Sequence, residues 1–254
     1  MQSVKSLAIS LIAGALWFGQ SRDLPDTLYD SNGQPVAAVQ SISSLLYFLA
    51  IVMALYGSTV IGSFYTLKAT FLREQMAGAV APLPFAFSCF LVPGIFAFVY
   101  ALFLQVPLWF MVGFVSGGGS FIYMLVVLWL GMYGAGLAAI AISSLIESVQ
   151  TAFALYPLFF VFSTQFAGYG MGIDSLPNIW YWAPYVSLTR WVWQGLMWNM
   201  WVREHIQEGD AVIEQWQLTS TLYGKIVSKC ILSCVNTRLH SHSFILVVVL
   251  VMLW

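Results

Sequence analysis

Charge is so scarce in this sequence that every ionisable side chain is a candidate for chemistry. Its 254 residues include 9 Lys+Arg, 10 Asp+Glu and 3 His. Lys68, Arg73 and Glu74 interrupt the apolar residues Leu67, Phe71, Leu72 and Met76. Glu147 stands alone between two uncharged stretches, and Arg190 is the only cation in a segment rich in Trp180, Trp182, Trp191 and Trp193. His240-x-His242 follows Cys230 and Cys234, but the histidine spacing is not that of a zinc site, and these read as flanking polar residues. No Gly-rich loop followed by Lys-Ser/Thr offers the usual grip on ATP. Hydrolysis within a membrane needs an ionisable nucleophile, base or metal ligand inside the apolar runs. An ion or proton path needs a line or ring of carboxylates. Neither pattern is present, so no catalytic residue and no metal site are expected. What the charges can still do is make contact with another protein.

The elements that carry these residues follow from composition. Hydrophobic residues make up 60% and charged residues 7%, against about 45–50% and about 25% in soluble domains. With a mean hydropathy of +0.85, the chain reads as an integral membrane protein, its main partner the lipid bilayer. A net charge of -1 gives no reason to expect nucleic acid, and three cysteines make no disulfide framework. No charged residue or histidine occurs in 31–67, 75–146 or 148–173. Backbone groups in lipid must be satisfied within the segment, and strand-like alternation is absent, so the spans are helices.

A crossing takes about 20 apolar residues. On that ruler the expected spans are 4–19, 41–63, 84–115 (kinked or broken at Pro107), 121–142 and 149–168, with Gly117-Gly118-Gly119 as a turn. A signal peptide is the rival reading of the first segment. The stretch 65–80 reads as a separate amphipathic helix along the membrane surface, either a solvated linker or a docking element. Ala135, Ala139 and Ser143 form a small-residue ladder for close helix packing. The aromatic segment 169–222 reads as re-entrant or interfacial helices followed by an aqueous loop, with Arg190 at headgroup depth, because Trp and Tyr favour the interface. Residues 223–254 offer a sixth candidate span near 243–254, either a genuine last span or a truncated one. Lys and Arg near the span ends give no decisive orientation.

Several motifs in order resemble a known family. Phe71-Leu72-Arg73-Glu74-Gln75-Met76-Ala77-Gly78 is followed by Pro84-Phe85-Ala86-Phe87. Later come Phe166-Ala167-Gly168-Tyr169, Trp180-Tyr181-Trp182-Ala183-Pro184-Tyr185 and Gly195-Leu196-x-x-Asn199. This arrangement resembles the transmembrane domain of the ABCG (white/pleiotropic drug resistance) subfamily of ABC transporters, over about 4–201. The resemblance implies an all-α polytopic membrane bundle, an ABC-2/ABCG type permease with five to six spans and a re-entrant aromatic extracellular segment. It implies a permease in an ATP-driven exporter of lipids or amphipathic small molecules, in a plasma or organelle membrane. Its partners would be an ABC nucleotide-binding domain, holding ATP and Mg, and a second transmembrane domain in a homo- or heterodimer. No cofactor is expected on this chain, and no ATP hydrolysis by it.

By family position, Lys68, Arg73, Glu74 and Gly78 fall in the region coupled to the nucleotide-binding domain, and Glu147 in a second cytosolic contact loop. Ile51, Val52, Leu55, Phe160, Val161 and Thr164 match the lining of the family's substrate cavity, and Tyr169 its hydrophobic plug. A non-transporting scaffold, or a truncated pseudo-transporter lacking the ATPase domain, is the alternative, with a membrane-embedded enzyme third.

Overall fold

The computed structural model describes residues 2–21, 29, 35–78, 81–114, 118–170, 172, 176–180, 182–202, 212, 213 and 216. Asp23, Asp26, Asp30, Gly117, His205, His240, His242, Cys230, Cys234 and the expected last segment 223–254 lie outside these residues. Five helices form the bundle: α1 (Gln2–Leu16), α2 (Ala37–Met76), α3 (Pro82–Val112), α4 (Gly118–Leu145) and α5 (Val149–Gln165). A 3-10 turn at Asn178–Trp180 and the short α6 (Ala183–Val186) lead into α7 (Leu188–Met197) and a π-helical turn at Trp198–Val202. The described residues add only an isolated bridge between Tyr29 and Pro35.

Of these, α2, α3 and α4 are each long and apolar enough to cross a membrane. With 15 residues in α1 and 17 in α5, those helices lie at or below the short end of the spanning range. Neighbours alternate in direction. Met53 and Gly57 of α2 meet Gly131 and Ala135 of α4, so those two helices run parallel. α5 runs against α2, because Tyr156 meets Ala54 while Tyr47 meets Thr164. α1 runs alongside the second half of α3, with the Ser10 hydroxyl donating to the Leu104 carbonyl at 2.6 Å and Gly14 against Met111. The core runs through α2: Leu45, Leu49, Met53, Tyr56 and Ile61 are among the most deeply buried side chains. α3 forms the outer wall, exposing Phe87, Leu91, Ile95 and Phe110, as a lipid-facing helix should.

Four expectations are corrected. The stretch 65–80 is no separate surface helix, because α2 continues unbroken to Met76. Its 40 residues amount to about 60 Å, well beyond the hydrocarbon core. No Gly or Pro interrupts the chain between Ser63 and Met76, so leaving the lipid gives the hydrogen-bond ladder no reason to stop. Phe71 also stacks on Phe85 of α3 at 4.0 Å.

Nor does α3 break at Pro107; the helix passes through both Pro93 and Pro107. A proline removes one helical bond, and neighbouring helices can hold the turn. The Tyr56 hydroxyl donates to the Pro93 carbonyl, the Trp129 indole N–H to the Gly94 carbonyl at 2.8 Å, and the Ser10 hydroxyl to the Leu104 carbonyl just before Pro107, bonds that brace α3 beside its prolines without replacing the ones they remove. Replacing Trp129 by Phe is expected to cost about 1 kcal/mol, the worth of one such bond. It should be read as a lower melting temperature in detergent with the elution profile unchanged.

Gly118 and Gly119 belong to the first turn of α4 rather than to a free turn. Two buried amides hold that turn from outside: Gln105 donates to the Phe121 carbonyl and Asn199 to the Ser120 carbonyl, each at 3.1 Å. The depth of Arg190 is the fourth correction. After α5 the chain dips back into the bundle, and Ser187 meets Ser163, its hydroxyl donating to the Ser163 carbonyl at 2.6 Å. α7 then rises antiparallel to α4, with Leu188 on Gly134, Val192 on Gly131 and Gly195 on Val127. Arg190, in the first turn of α7, is buried about halfway along α4, held there by hydroxyl contacts among Ser163, Ser187 and Thr189.

Candidate functional site

Lys68, Arg73, Glu74 and Glu147 gather at one end of the bundle. Beyond the apolar part of α2, Arg73 and Glu74 are exposed and Lys68 is half-buried, its ammonium 6.0 Å from the Tyr65 ring centroid. Gly78, exposed and with φ of 71°, ends this arm; its N–H bonds the Gln75 carbonyl at 2.9 Å. α4 stops at Leu145, and Ser148 starts α5 by accepting from the Thr151 N–H at 3.2 Å. Glu147 is exposed in the break between them. One hydroxyl ties the two regions together: Tyr65 Oη lies 2.8 Å from the Ile146 carbonyl and 3.3 Å from that of Ser148. The carbonyls that Tyr65 reaches therefore flank Glu147. A small cluster of Phe64, Cys89 and Ile140 stiffens the base of the arm. Lys68, Arg73, Glu74, Gly78 and Glu147 thus share one end of the molecule.

The six residues matched to a cavity do not share one environment. Leu55 and Val161 are exposed, Ile51 and Thr164 are half-buried, and Val52 and Phe160 are buried within the chain. Phe160 packs against Tyr156 and Phe159 at ring distances of 5.0 and 5.7 Å. Ile51 and Leu55, four residues apart, mark an outward stripe on α2, and Val161 lies outward on the adjacent α5. An open apolar groove of about 600 Å³ lies elsewhere, between α4 and α5, lined by Ile142, Leu145, Leu155, Leu158, Phe159 and Phe162 among others. None of the six lines it. Truncating Phe160 to Ala is expected to cost about 3–5 kcal/mol as a core deletion. Truncating Val161 should change thermal stability little, and denaturation of the two variants side by side checks this.

Tyr169 lies between Tyr47 and Trp216, stacked on both, near the end of α5 opposite Glu147. Trp193 of α7 stands edge-on to the stack. Sequence reasoning singled out Tyr169 but neither Tyr65, Tyr47 nor Trp216. A tyrosine at the point where an apolar run gives way to charge was the available signal for Tyr65. Nothing local marks Tyr47 and Trp216, whose partners are distant in the chain. Among the described residues no group of three or more His, Cys, Asp or Glu could hold a metal ion.

Residues 1–201 match the family described as ABC-2 type transporter. The chain is similar to ABC transporter G family member STR2 of Petunia hybrida, at 25% identity over 179 residues, covering 65% of this chain and 23% of that protein. It is similar to ABC transporter G family members 41 and 37 of Arabidopsis thaliana, each at 23% identity. Those matches cover 74% and 78% of this chain and 13% of each relative. The chain therefore spans about a quarter or less of the length of these relatives.

Proposed function

This chain belongs to the ABC-2 type transporter family as an integral membrane permease component, and on that premise we propose that it serves an ATP-driven exporter of lipids or amphipathic small molecules. A nucleotide-binding domain engages the end that carries Arg73, Glu74 and Glu147. ATP and Mg belong to that domain, and the chain itself binds no cofactor. A second transmembrane domain packs on the outward faces of α2 and α5, so that Ile51, Leu55, Val161 and Thr164 line a cavity between the two. Val52 and Phe160 support those walls from behind, and Tyr169 closes the path on the far side.

The observation that carries this reading is the Tyr65 bridge. It joins a long helical arm, rooted in the core of the bundle, to the turn that holds Glu147. A push on either charged element then reaches α2, α4 and α5 together. Transport needs such an element to exist in two arrangements, one of which the driving ligand favours. Apolar cavity walls suit amphipathic cargo, which gains by burial without dedicated polar partners.

The test is flux of a fluorescent phospholipid in proteoliposomes, with ATP, in the presence and absence of a candidate nucleotide-binding partner. Flux that appears only with both supports the reading. Equal flux in the two conditions refutes it.

A further inference from the structure

α3 is a single helix, but its two halves have different surroundings. From Leu83 to Val92 only Cys89 is buried, in a cluster with Phe64 of α2 and Ile140 of α4. Phe85 in the same half stacks on Phe71 of the α2 arm. Beyond Phe64 no residue of α2 is buried either, so the arm and this half of α3 lean mainly on each other. The second half is different. Ala97, Tyr100, Ala101, Leu104, Leu108 and Val112 are all buried and recur every three or four positions, which gives one continuous inner face. Two neighbours pin that face. The Ser10 hydroxyl of α1 donates to the Leu104 carbonyl, and Gly14 lies against Met111. From α4, the Phe121 carbonyl accepts from Gln105 and the Phe121 ring meets Trp109 edge-on at 5.3 Å.

The change from one surrounding to the other falls at Pro93-Gly94. Pro93 has no N–H to offer the carbonyl of Cys89 four residues back, and sharp helix kinks concentrate at such positions. Tyr56 of α2 and Trp129 of α4 donate to the Pro93 and Gly94 carbonyls. Those bonds hold the point in place without restoring the missing one. Pro107 lacks the same freedom, because the turns on both sides of it are pinned, at Leu104 and at Met111. Of the two prolines inside α3, only Pro93 separates a bare half from a fixed one.

We propose that α3 bends at Pro93-Gly94, its first half tilting together with the α2 arm while its second half stays with α1 and α4, and that the Trp129 bond to Gly94 latches the straight form. A hinge needs only a few residues that absorb the change in backbone angle. The inference deepens the transport reading and rests on it for its use: the arm that carries Arg73 and Glu74 gains a second arrangement without unpacking the core.

Distances between pairs of nitroxides in the full chain, in nanodiscs without ATP or a partner, test the hinge. The labels enter as non-natural amino acids at exposed positions. Leu83 and Val149 span the charged end, while Val4 and Phe110 join α1 to the pinned half of α3. A kink of about 20° moves Leu83, about 15 Å along the axis from Pro93, sideways by about 5 Å. The Leu83–Val149 distances should therefore spread over about 5 Å more than the Val4–Phe110 distances. Pro93→Ala restores the lost bond and should remove the extra spread. Trp129→Phe should enlarge the bent population about fivefold, the worth of one hydrogen bond. Equal spread in the two pairs overturns the hinge, and so does extra spread that survives in Pro93→Ala. Should Pro93→Ala not elute as a folded species, Pro93→Leu carries the same comparison. Extra spread in a wild type that shows no coupled flux refutes transport alone. Coupled flux with equal spreads refutes the hinge alone.

Discussion

Replacing Gly57 by Ala should cut the yield of folded protein at least about tenfold, and Gly57→Val should leave none, because overpacking a tight core costs several-fold in abundance per kcal/mol. Gly57 lies where α2 crosses α4 with α5 packed behind. A Cβ there would fall 2.7 Å from the Ala135 carbonyl oxygen and on top of the Tyr156 hydroxyl. The tyrosine could swing, but the Ala135 carbonyl belongs to the backbone of α4 and cannot, so the two helices would have to separate. Separation has no cheap form: Met53 and Tyr56 are buried on the same stretch of α2, and Ala135 and Ala139 opposite them on α4. Tyr156→Phe is the control. It removes only the hydroxyl that donates to the Ala54 carbonyl at 3.1 Å, a loss of about 1 kcal/mol. Size-exclusion profiles of detergent extracts, with melting temperatures of any monodisperse peak, decide the matter. A wild-type profile for Gly57→Ala would mean that α2 and α4 do not meet at this point.

That crossing also shows how far the sequence could be read. Continuous uncharged runs located the helices because lipid leaves the backbone no other choice: the fourth was expected at 121–142 and is found at Gly118–Leu145. Hydropathy marks where lipid ends, however, and not where a helix ends. α2 therefore carried on through Lys68, Arg73 and Glu74 to Met76, past the expected boundary at Ser63. Pro107 misled for a different reason. The contact that braces α3 just before Pro107, the Ser10 hydroxyl on the Leu104 carbonyl, comes from another helix, and local rules cannot include it.

The same limit explains Arg190 and the cavity residues. Clustered Trp and Tyr favour an interface as a matter of composition, but the depth of α7 is set by hydroxyls of Ser163, Ser187 and Thr189 that meet only after folding. On a helix apolar all round, periodicity does not say which side faces the core. Phe160 and Val161 are adjacent and similar in character, yet one is buried and the other exposed. At the charged end the sequence said more, since Arg73, Glu74 and Glu147 are conspicuous against so much hydrocarbon. It could not show that Tyr65 would join them.

That junction leads to the second large effect expected. Arg73→Glu and Glu74→Lys should each lower ATP-stimulated transport at least about tenfold, since a misplaced charge in a desolvated contact costs about 2–5 kcal/mol. Both side chains are exposed at the end of α2, where substitutions change folding stability by no more than about 0.5 kcal/mol. Insertion, yield and elution should therefore match wild type, which separates lost coupling from lost fold. Glu147→Lys should behave the same way from the other contact.

Tyr65→Phe tests the link between the two contacts. It removes the hydroxyl that reaches the Ile146 and Ser148 carbonyls but leaves every charge in place. A structural role alone predicts a small drop in melting temperature and unchanged flux. A role in transmission predicts partner-stimulated ATP hydrolysis that persists while cargo flux falls, so that more ATP is consumed per molecule moved. If Arg73 and Glu147 act through this one junction, the double reversal should cost less than the sum of the single ones, because linked residues are not additive. Wild-type flux in both Arg73→Glu and Glu74→Lys would remove the α2 arm from the drive train, whatever Tyr65→Phe does. The coupling contact would then have to be sought on the Glu147 turn alone.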